Sequence, residues 1–169
     1  MIRVLDLTDV ATAERVLVVQ RLAYAVEAAL IGFDGIPPLQ EDLAGLMASS
    51  EHWLGRYSDD GELAAAVAYE LPDPETVEIS RLVVDPAHAR RGHGRALLDQ
   101  LDSLEPRPVS LVSTGTANAP AVNLYLSRGY SADAEVEIAP GVTITQFSRH
   151  LPGRSAAGAE LFEAVVDGE

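Results

Sequence analysis

The fold of this chain is decided by the stretch VVDPAHARRGHGRALL, residues 83–98. It begins as an apolar strand, turns at Asp85-Pro86 and enters a helix through two glycines. The N-terminus of a helix offers unpaired N–H groups and a partial positive charge, and glycine leaves room for an anion to reach them. Arg90, Arg91 and Arg95 add positive charge to an otherwise acidic chain. The segment therefore predicts a phosphate-binding loop; the alternative is a loop that needs glycine only for its turn.

Two other phosphate-binding loops do not fit this segment. A nucleotide P-loop ends in Gly-Lys-Ser or Gly-Lys-Thr, whereas Gly94 is followed by Arg95 and Ala96. A dinucleotide-binding loop needs a third glycine at the position that Leu97 occupies here. Both classes of nucleotide site are therefore excluded.

Composition and charge limit the classes of partner. With 169 residues, 47 % of them apolar, the chain is long enough for one domain with its own core. Its net charge of −14 disfavours nucleic acid and anionic membrane surfaces and favours cationic partners. The absence of cysteine excludes disulfides, thiolate metal sites and thiol nucleophiles. No signal peptide and no membrane-spanning run are apparent, which predicts a cytoplasmic protein.

Hydrophobic periodicity and turn residues predict strands and helices around one sheet. About seven strands are predicted, at residues 2–7, 52–57, 62–70, 76–84, 108–112, 135–138 and 142–147. About four helices are predicted, one from Thr8-Asp9 to Gly32 and the others over 40–48, 94–104 and 121–128. The residues from Leu71 to Pro74 are expected to break the chain.

A change of composition near Pro152 predicts a domain over 1–151 and a C-terminal tail over 152–169. The apolar residues of the tail, Leu161, Phe162, Val165 and Val166, could pack on the body of the protein or on a partner chain. A solvated acidic tail is the preferred interpretation. A homodimer with a swapped tail is the alternative that the sequence leaves open.

Two segments resemble motifs of the GCN5-related N-acetyltransferase (GNAT) family. Residues 90–98, RRGHGRALL, are similar to its acetyl-CoA loop, Gln/Arg-x-x-Gly-x-Gly/Ala, although Ala89 stands where Gln or Arg is usual. Residues 118–130, NAPAVNLYLSRGY, resemble its Asn-x-x-Ala-x-x-x-Tyr-x-x-x-Gly-Phe/Tyr helix. The resemblance, which extends from residue 1 to about 150, implies an α/β (α+β) fold. We expect a mixed, mostly antiparallel central sheet of about seven strands flanked by about four helices.

The resemblance implies an N-acetyltransferase that moves an acetyl group from acetyl-CoA directly to a primary amine. The residues expected to bind CoA are Leu82, Val83, Val84, Arg90, Arg91, Gly92, His93, Gly94, Arg95, Ala96 and Asn118. The amides of 91–96 are expected at the pyrophosphate, and the backbone of 82–84 at the pantetheine arm and the thioester carbonyl. Asn118 is expected to bind the pantetheine amide or to cap its helix.

Two residues are candidates for proton transfer. Glu78 is the predicted base, because strand periodicity places it on the same face as Leu82 unless a bulge intervenes. An exposed Glu78 paired with an arginine, with a chain of waters as the base, is the alternative. Tyr125 matches the family's helix tyrosine and is expected to hydrogen-bond the sulfur and protonate the leaving thiolate. A tyrosine that only packs in the core is the alternative.

The acceptor amine is the least specified part of the prediction. Tyr24, Phe33 and Trp53 are expected to line its pocket, because the first helix and the following loop cover that site in the family. Core packing explains Tyr24 and Trp53 equally well. The acidic charge favours a cationic small molecule or a basic peptide end. No metal is expected, since the four histidines lack metal-ligand spacing.

Two other classes of function compete with the enzyme. One is a non-catalytic acyl-CoA-binding or sensing module, which would keep the loop and lose the groups that transfer protons. The other is an interaction protein with no ligand. The retained tyrosine at position 125 favours the enzyme over the binding module.

Overall fold

The computed structural model describes residues 1–153, which form a seven-stranded sheet with helices on both faces. The strands are β1 (Ile2–Val4), β2 (His52–Tyr57), β3 (Leu63–Asp73), β4 (Thr76–Val84), β5 (Val109–Gly115), β6 (Ser131–Ala139) and β7 (Val142–His150). The helices are α1 (Val10–Ile31), α2 (Pro37–Gln40), α3 (Leu43–Met47), α4 (His93–Leu104) and α5 (Ala119–Ser127). Among the described residues, no helix has the length and apolar character needed to cross a membrane. Almost all of the predicted tail lies outside the described residues.

The sheet opens at its centre. Its strand order is β1-β2-β3-β4-β5-β7-β6, and β4 with β5 is its parallel pair within residues 1–153. These two strands pair over Thr76–Ile79 and Val109–Val112. Beyond that point β4 continues to Val84 paired with β3, and β5 continues to Gly115 paired with β7. The last residues of β4 therefore have one edge that is free of a neighbouring strand in the described chain.

Two helical layers hold β4 between them. On one face, α4 and α5 bury Leu97, Leu101 and Tyr125 against the sheet. On the other face, α1 and α3 bury Val16 and Leu46 in a second core. Burial of apolar side chains on both faces is the main force that keeps this strand in place.

Helix α1 begins and ends where the sequence predicts. Asp9 is its N-cap, and its carboxylate accepts a hydrogen bond from the Thr12 amide (2.9 Å). Gly32 ends the helix at φ +67° and donates its N–H to Ala28 O. The chain then turns away into a loop, residues 32–36.

The helix predicted over 40–48 is wrong, because two short helices take its place. Glu41 is extended, at φ −66° and ψ 135°, and sends its carboxylate to Arg81. Asp42 then caps a new helix by accepting a hydrogen bond from the Gly45 amide (2.8 Å). Residues 1–153 consequently contain five α-helices where about four were expected.

The chain break predicted from Leu71 to Pro74 is also wrong, since β3 continues to Asp73. Pro72 lies where the pairing of β3 with β4 shifts register, so its missing N–H interrupts no regular ladder. The turn comes later, where the Asp73 carboxylate accepts a hydrogen bond from the Glu75 amide (2.8 Å).

Candidate active site

The predicted phosphate-binding loop leads directly into α4. Gly92 is the N-cap at φ +78°, and Arg90 adopts φ +62°, which costs a non-glycine residue about 1 kcal/mol. The first hydrogen bond of the helix runs from the Ala96 amide to the Gly92 carbonyl (3.0 Å). The amides before Ala96 in the first turn have no carbonyl partner within the helix. The prediction for Ala96 is therefore corrected, because its amide is used inside the helix.

His93, the first residue of α4, is held by the sheet. Arg56 on β2 donates from Nε to His93 Nδ1 (2.9 Å). Burial and then the charge of Arg56 lower the pKa of His93 below its ordinary value. The imidazole is therefore neutral at pH 7, and the positive charge of the loop comes from its arginines and helix amides.

A cavity of about 1010 Å³ extends from this loop to the C-terminal half of α1. The predicted site residues that line it are Leu82, Val83, Val84, Arg90, Gly92, His93, Gly94, Arg95, Asn118, Tyr125, Tyr24 and Phe33. Arg91, Ala96, Trp53 and Glu78 are not among its lining residues. We call the part formed by the end of β4 (residues 82–84), the loop and α4 the loop half, and the part formed by α1, residues 32–36, Arg81 and Ile138 the α1 half.

A β-bulge at Ser80 shapes the floor of the cavity. Tyr69 pairs with Ile79 and Ala68 pairs with Arg81, so Ser80 is an extra residue in β4. The extra residue changes the alternation of side chains along the strand. Ile79 packs in the core under α4 and α5, whereas Arg81 turns to the face covered by α1.

The bulge moves Glu78 away from its predicted position. Leu82 packs on the same core as Ile79, so Glu78, next to Ile79, lies on the opposite face of the strand from Leu82. The same-face placement predicted for Glu78 and Leu82 is wrong for this reason. Glu78 is exposed and lies outside the cavity. Its role as a base gains no support from its position.

Tyr125 brings a hydroxyl group to the cavity from α5. Its ring is 3 % exposed and packs edge-on against Tyr130, with centroids 5.6 Å apart, and beside Phe147 at 5.9 Å. Burial raises the pKa of Tyr125 far above its ordinary value, and nearby negative charge adds to the effect. The hydroxyl therefore keeps its proton at neutral pH and can donate a hydrogen bond.

Asn118 lies at the junction of β5 and α5, on the wall of the cavity. Its Oδ1 accepts a hydrogen bond from the Ala121 amide (3.3 Å), so Asn118 caps α5. Helix capping was one of the two roles expected for Asn118. Its Nδ2 donates to Thr114 Oγ1 (3.5 Å). The cap thus ties the helix to the end of β5.

Arg81 is a cavity residue that the sequence analysis did not single out. Its guanidinium donates to Glu41 (2.5 Å) and Gln20 (3.0 Å) and pairs with Glu51 (2.9 Å). It also lies 5.4 Å from the centroid of the Trp53 ring. A basic residue inside an apolar strand was the available signal, because such a charge needs buried acidic partners.

Trp53 lies beneath Arg81 in the core covered by α1, with 3 % of its surface exposed. The position of Trp53 therefore agrees with the core-packing alternative. Tyr24 lines the cavity, and burial raises the pKa of Tyr24 well above its ordinary value. Phe33 lines the cavity from the loop after α1.

Glu27 on α1 is the second residue that the sequence analysis missed. Its Oε1 accepts hydrogen bonds from Thr114 Oγ1 (3.2 Å) and the Gly115 amide (3.3 Å) at the end of β5. It lines the cavity between Tyr24 and Ile31. Helical spacing was the available signal, since residues three and four positions apart share one helix face.

The fold and this site define a protein in which the N-terminus of α4 lies beside an opened central sheet. The chain belongs to the acetyltransferase (GNAT) family, whose model matches residues 21–130. The match includes both the loop before α4 and the α5 segment, so the family predicted from those two motifs is confirmed. Within residues 1–153, no group of three or more His, Asp or Glu side chains is arranged to hold a metal ion.

One curated relative matches most of this chain. It is 38 % identical over 148 residues to the UPF0157 protein YqkA of Bacillus subtilis, covering 87 % of this chain and 43 % of that protein. The chain thus spans less than half of this curated relative.

Two solved structures share the fold. One is the PaiA N-acetyltransferase of Thermoplasma acidophilum in complex with coenzyme A, at TM-score 0.70 and 13 % identity over 89 % of this chain and 99 % of that one. The other is YncA of Salmonella typhimurium with acetyl-CoA, at TM-score 0.66 and 22 % identity over 92 % and 95 %. The predicted seven-stranded mixed sheet is confirmed.

Proposed function

We propose that this domain transfers an acetyl group from acetyl-CoA to a primary amine within a ternary complex. One observation carries the proposal: the free amides of the α4 N-terminus, the free edge of β4 and the Tyr125 hydroxyl meet at one cavity. Membership of the acetyltransferase family supports the same reaction.

The loop half of the cavity fits the phosphates of a CoA thioester. The first-turn amides and the side chains of Arg90 and Arg95 are positive groups at its wall. A Cβ placed on Gly94 would have only ordinary contacts, the nearest at 3.5 Å from Leu124. Glycine is thus not needed there for packing within the protein, which fits a position kept open for a ligand.

The free edge of β4 and Tyr125 supply what the transfer itself needs. The amine nitrogen forms a bond to the thioester carbon, the C–S bond breaks, and the electron pair leaves with sulfur. Backbone amides of β4 that have no partner strand can donate to the carbonyl oxygen as negative charge develops there. The acceptor ammonium loses one proton to solvent before the attack and its nitrogen loses a second after it. Tyr125 gives its proton to the departing thiolate as it takes one from solvent, so CoA leaves as the thiol.

The test is acetyl transfer measured by two readouts with a panel of primary amines. Free CoA is followed with a thiol reagent, and the acetylated amine is identified by mass spectrometry. We expect both products in equal amounts with at least one amine, and neither with Gly94→Asp.

Two results would contradict the proposal. Binding of acetyl-CoA with no release for any amine would favour the non-catalytic acyl-CoA module. Failure of CoA to raise the melting temperature would favour a protein without this ligand, because a ligand bound only by the folded state must stabilise it.

A further inference from the structure

The α1 half of the cavity is mostly apolar. Its wall includes Val26, Leu30, Ile31, Phe33, Ile36 and Ile138. Val26, Leu30 and Ile138 are each exposed over more than two-fifths of their surface, at 47 %, 45 % and 45 %. Large apolar side chains grouped on an open wall indicate contact with an apolar ligand rather than core packing.

One carboxylate lies within this apolar wall. Among the described residues that line the cavity, Glu27 is the single acidic one. The other charged residue on this side, Arg81, is already paired with Glu41 and Glu51. The α1 half therefore presents one negative group to a ligand although the whole chain carries −14.

Glu27 is held in a fixed orientation by the end of β5. Both of its hydrogen bonds, from Thr114 Oγ1 and the Gly115 amide, end on Oε1. Thr114 Oγ1 in turn accepts from Asn118 Nδ2, so one chain of hydrogen bonds joins α1 to the start of α5. Within residues 1–153 no hydrogen bond is found on Oε2, which leaves this oxygen for a ligand's N–H.

Glu27 also lies near the expected place of reaction. Glu27 lines the same cavity as Tyr24, which lies one turn before it on α1, and as Tyr125. Asn118, which donates to Thr114, lines the cavity at the start of α5, the helix that carries Tyr125. An amine on Glu27 would thus lie between the apolar wall and the reacting end of the cavity.

We propose that Glu27 binds the amino group of the acceptor and that the acceptor is a primary amine on an apolar body. The inference rests on the proposed acetyltransferase function and names the substrate class for it. It also narrows the expectation, drawn from net charge, of a cationic small molecule or a basic peptide end. The Glu27 carboxylate within the apolar wall of the α1 half is complementary to a ligand that carries one cationic amino group on an apolar chain.

The first test measures amine binding without turnover. Hexylamine is titrated into the protein saturated with CoA, and its Kd is compared among the wild type, Glu27→Gln and Glu14→Gln. Glu14 is an exposed acidic residue on the same helix, so it controls for lost charge. We expect Glu27→Gln to weaken hexylamine binding about 10- to 100-fold and Glu14→Gln to leave it unchanged. The glutamine keeps an oxygen that can accept from Thr114, which preserves the fold.

The second test separates the apolar wall from the carboxylate. Leu30→Ser removes an exposed apolar side chain, so it should weaken hexylamine binding about tenfold and leave methylamine binding unchanged. Equal loss for both amines would contradict the role of the wall.

The outcomes distinguish this inference from the proposed function. Hexylamine binding that is unaffected by Glu27→Gln, or spermidine or hexanoate binding more tightly than hexylamine, would overturn the inference while acetyl transfer could still be observed. Hexylamine binding that depends on Glu27, without CoA release from acetyl-CoA for any amine, would instead overturn the proposed function.

Discussion

The two halves of the cavity are built from different parts of the chain. The loop half is formed by the backbone of one continuous segment, the end of β4, the loop and the first turn of α4. The α1 half is formed by side chains from elements far apart in sequence, including Glu27 of α1, Arg81 of β4 and Ile138 of β6. A backbone site depends on glycines and a helix start, whereas a side-chain site depends on which elements pack together.

This difference has a consequence for specificity. The loop half offers groups that any CoA thioester could use, namely amides and arginines. The α1 half offers one carboxylate in an apolar wall, which under the proposal selects among amines by charge and shape. Substitutions in the two halves should therefore affect different ligands.

The largest expected effect is on the loop half. Gly94→Asp adds a side chain and a negative charge where phosphate is expected, so CoA affinity should fall at least about 100-fold. Isothermal titration with CoA measures this. Gln100→Asp, at an exposed position of the same helix, should bind CoA like the wild type.

A second variant at the same position tests whether loss of CoA binding in Gly94→Asp comes from misfolding. Gly94→Ala has room for its methyl group and a better helix propensity, so its melting temperature should not fall. Its CoA affinity should still be reduced. Wild-type affinity in both variants would exclude the α4 N-terminus as the phosphate site.

The next largest effect concerns the place where the two halves meet. Tyr125→Phe keeps the ring packing and removes the proton donor, so kcat should fall about 100-fold with little change in the KM for acetyl-CoA. Tyr130→Phe is the matched control, because its hydroxyl bonds to Ser110 (2.6 Å) and it does not line the cavity. Equal kcat for wild type and Tyr125→Phe would assign Tyr125 to the core only.

The third effect is on the scaffold of the α1 half. Arg81→Met leaves the half-buried carboxylates of Glu41 and Glu51 unpaired, so the free energy of unfolding at pH 7 should fall by about 2 kcal/mol. Urea unfolding measures the change. Arg107→Met is the control, because it breaks the ion pair with Glu105 (3.2 Å) away from the cavity. It should leave amine binding unchanged.

The same variant has a defined pH dependence. Burial acts against ionisation of Glu41, but hydrogen bonds from Arg81 and Gln20 lower the pKa of Glu41 below its ordinary value of 4.5. A lowered pKa in the folded state means that the pair stabilises the protein above about pH 4.5 and loses this effect as the pH falls further. The stability difference between wild type and Arg81→Met should shrink towards pH 3. A constant difference would contradict the pairing.

The smallest effect concerns the contact of α1 with β5. A Cβ on Gly115 would lie 2.5 Å from Ile31 Cγ2, so Gly115→Ala should lower stability by about 1 kcal/mol and weaken amine binding more than CoA binding. Gly55→Ala meets Leu5 at 2.8 Å in the core and should lower stability without changing amine binding. Loss of CoA binding in Gly115→Ala alone would show that the halves are not independent.

Local signals predicted the loop half well. The strand over 76–84, the turn at Asp85-Pro86 and the helix after Gly92 depend on residues within a few positions of each other, and the structure has all three. Only the role of the Ala96 amide differs from the prediction. It was expected among the amides at the pyrophosphate, but it donates to the Gly92 carbonyl as the first hydrogen bond of the helix.

Long-range contacts explain the errors. The bulge at Ser80 exists in the pairing of β3 with β4, so no pattern within β4 reveals that Glu78 faces away from Leu82. The helix over 40–48 divides because Glu41 pairs with Arg81, 40 residues away. The sequence around Glu27 does not distinguish it from other helical glutamates. Its hydrogen bonds to Thr114 and Gly115 join positions nearly 90 residues apart.

The residues 83–98 determined by themselves the strand, turn and helix that form an anion site, because helix dipoles, glycine conformations and amide geometry are local properties of the backbone. They led to the family and to the proposed acetyl donor. The tertiary structure alone decided which side chains line the α1 half, because that depends on a bulge, on the opening of β4 from β5 and on the packing of α1 against Gly115. Net charge, summed over the whole chain, could not describe a wall that is apolar apart from Glu27.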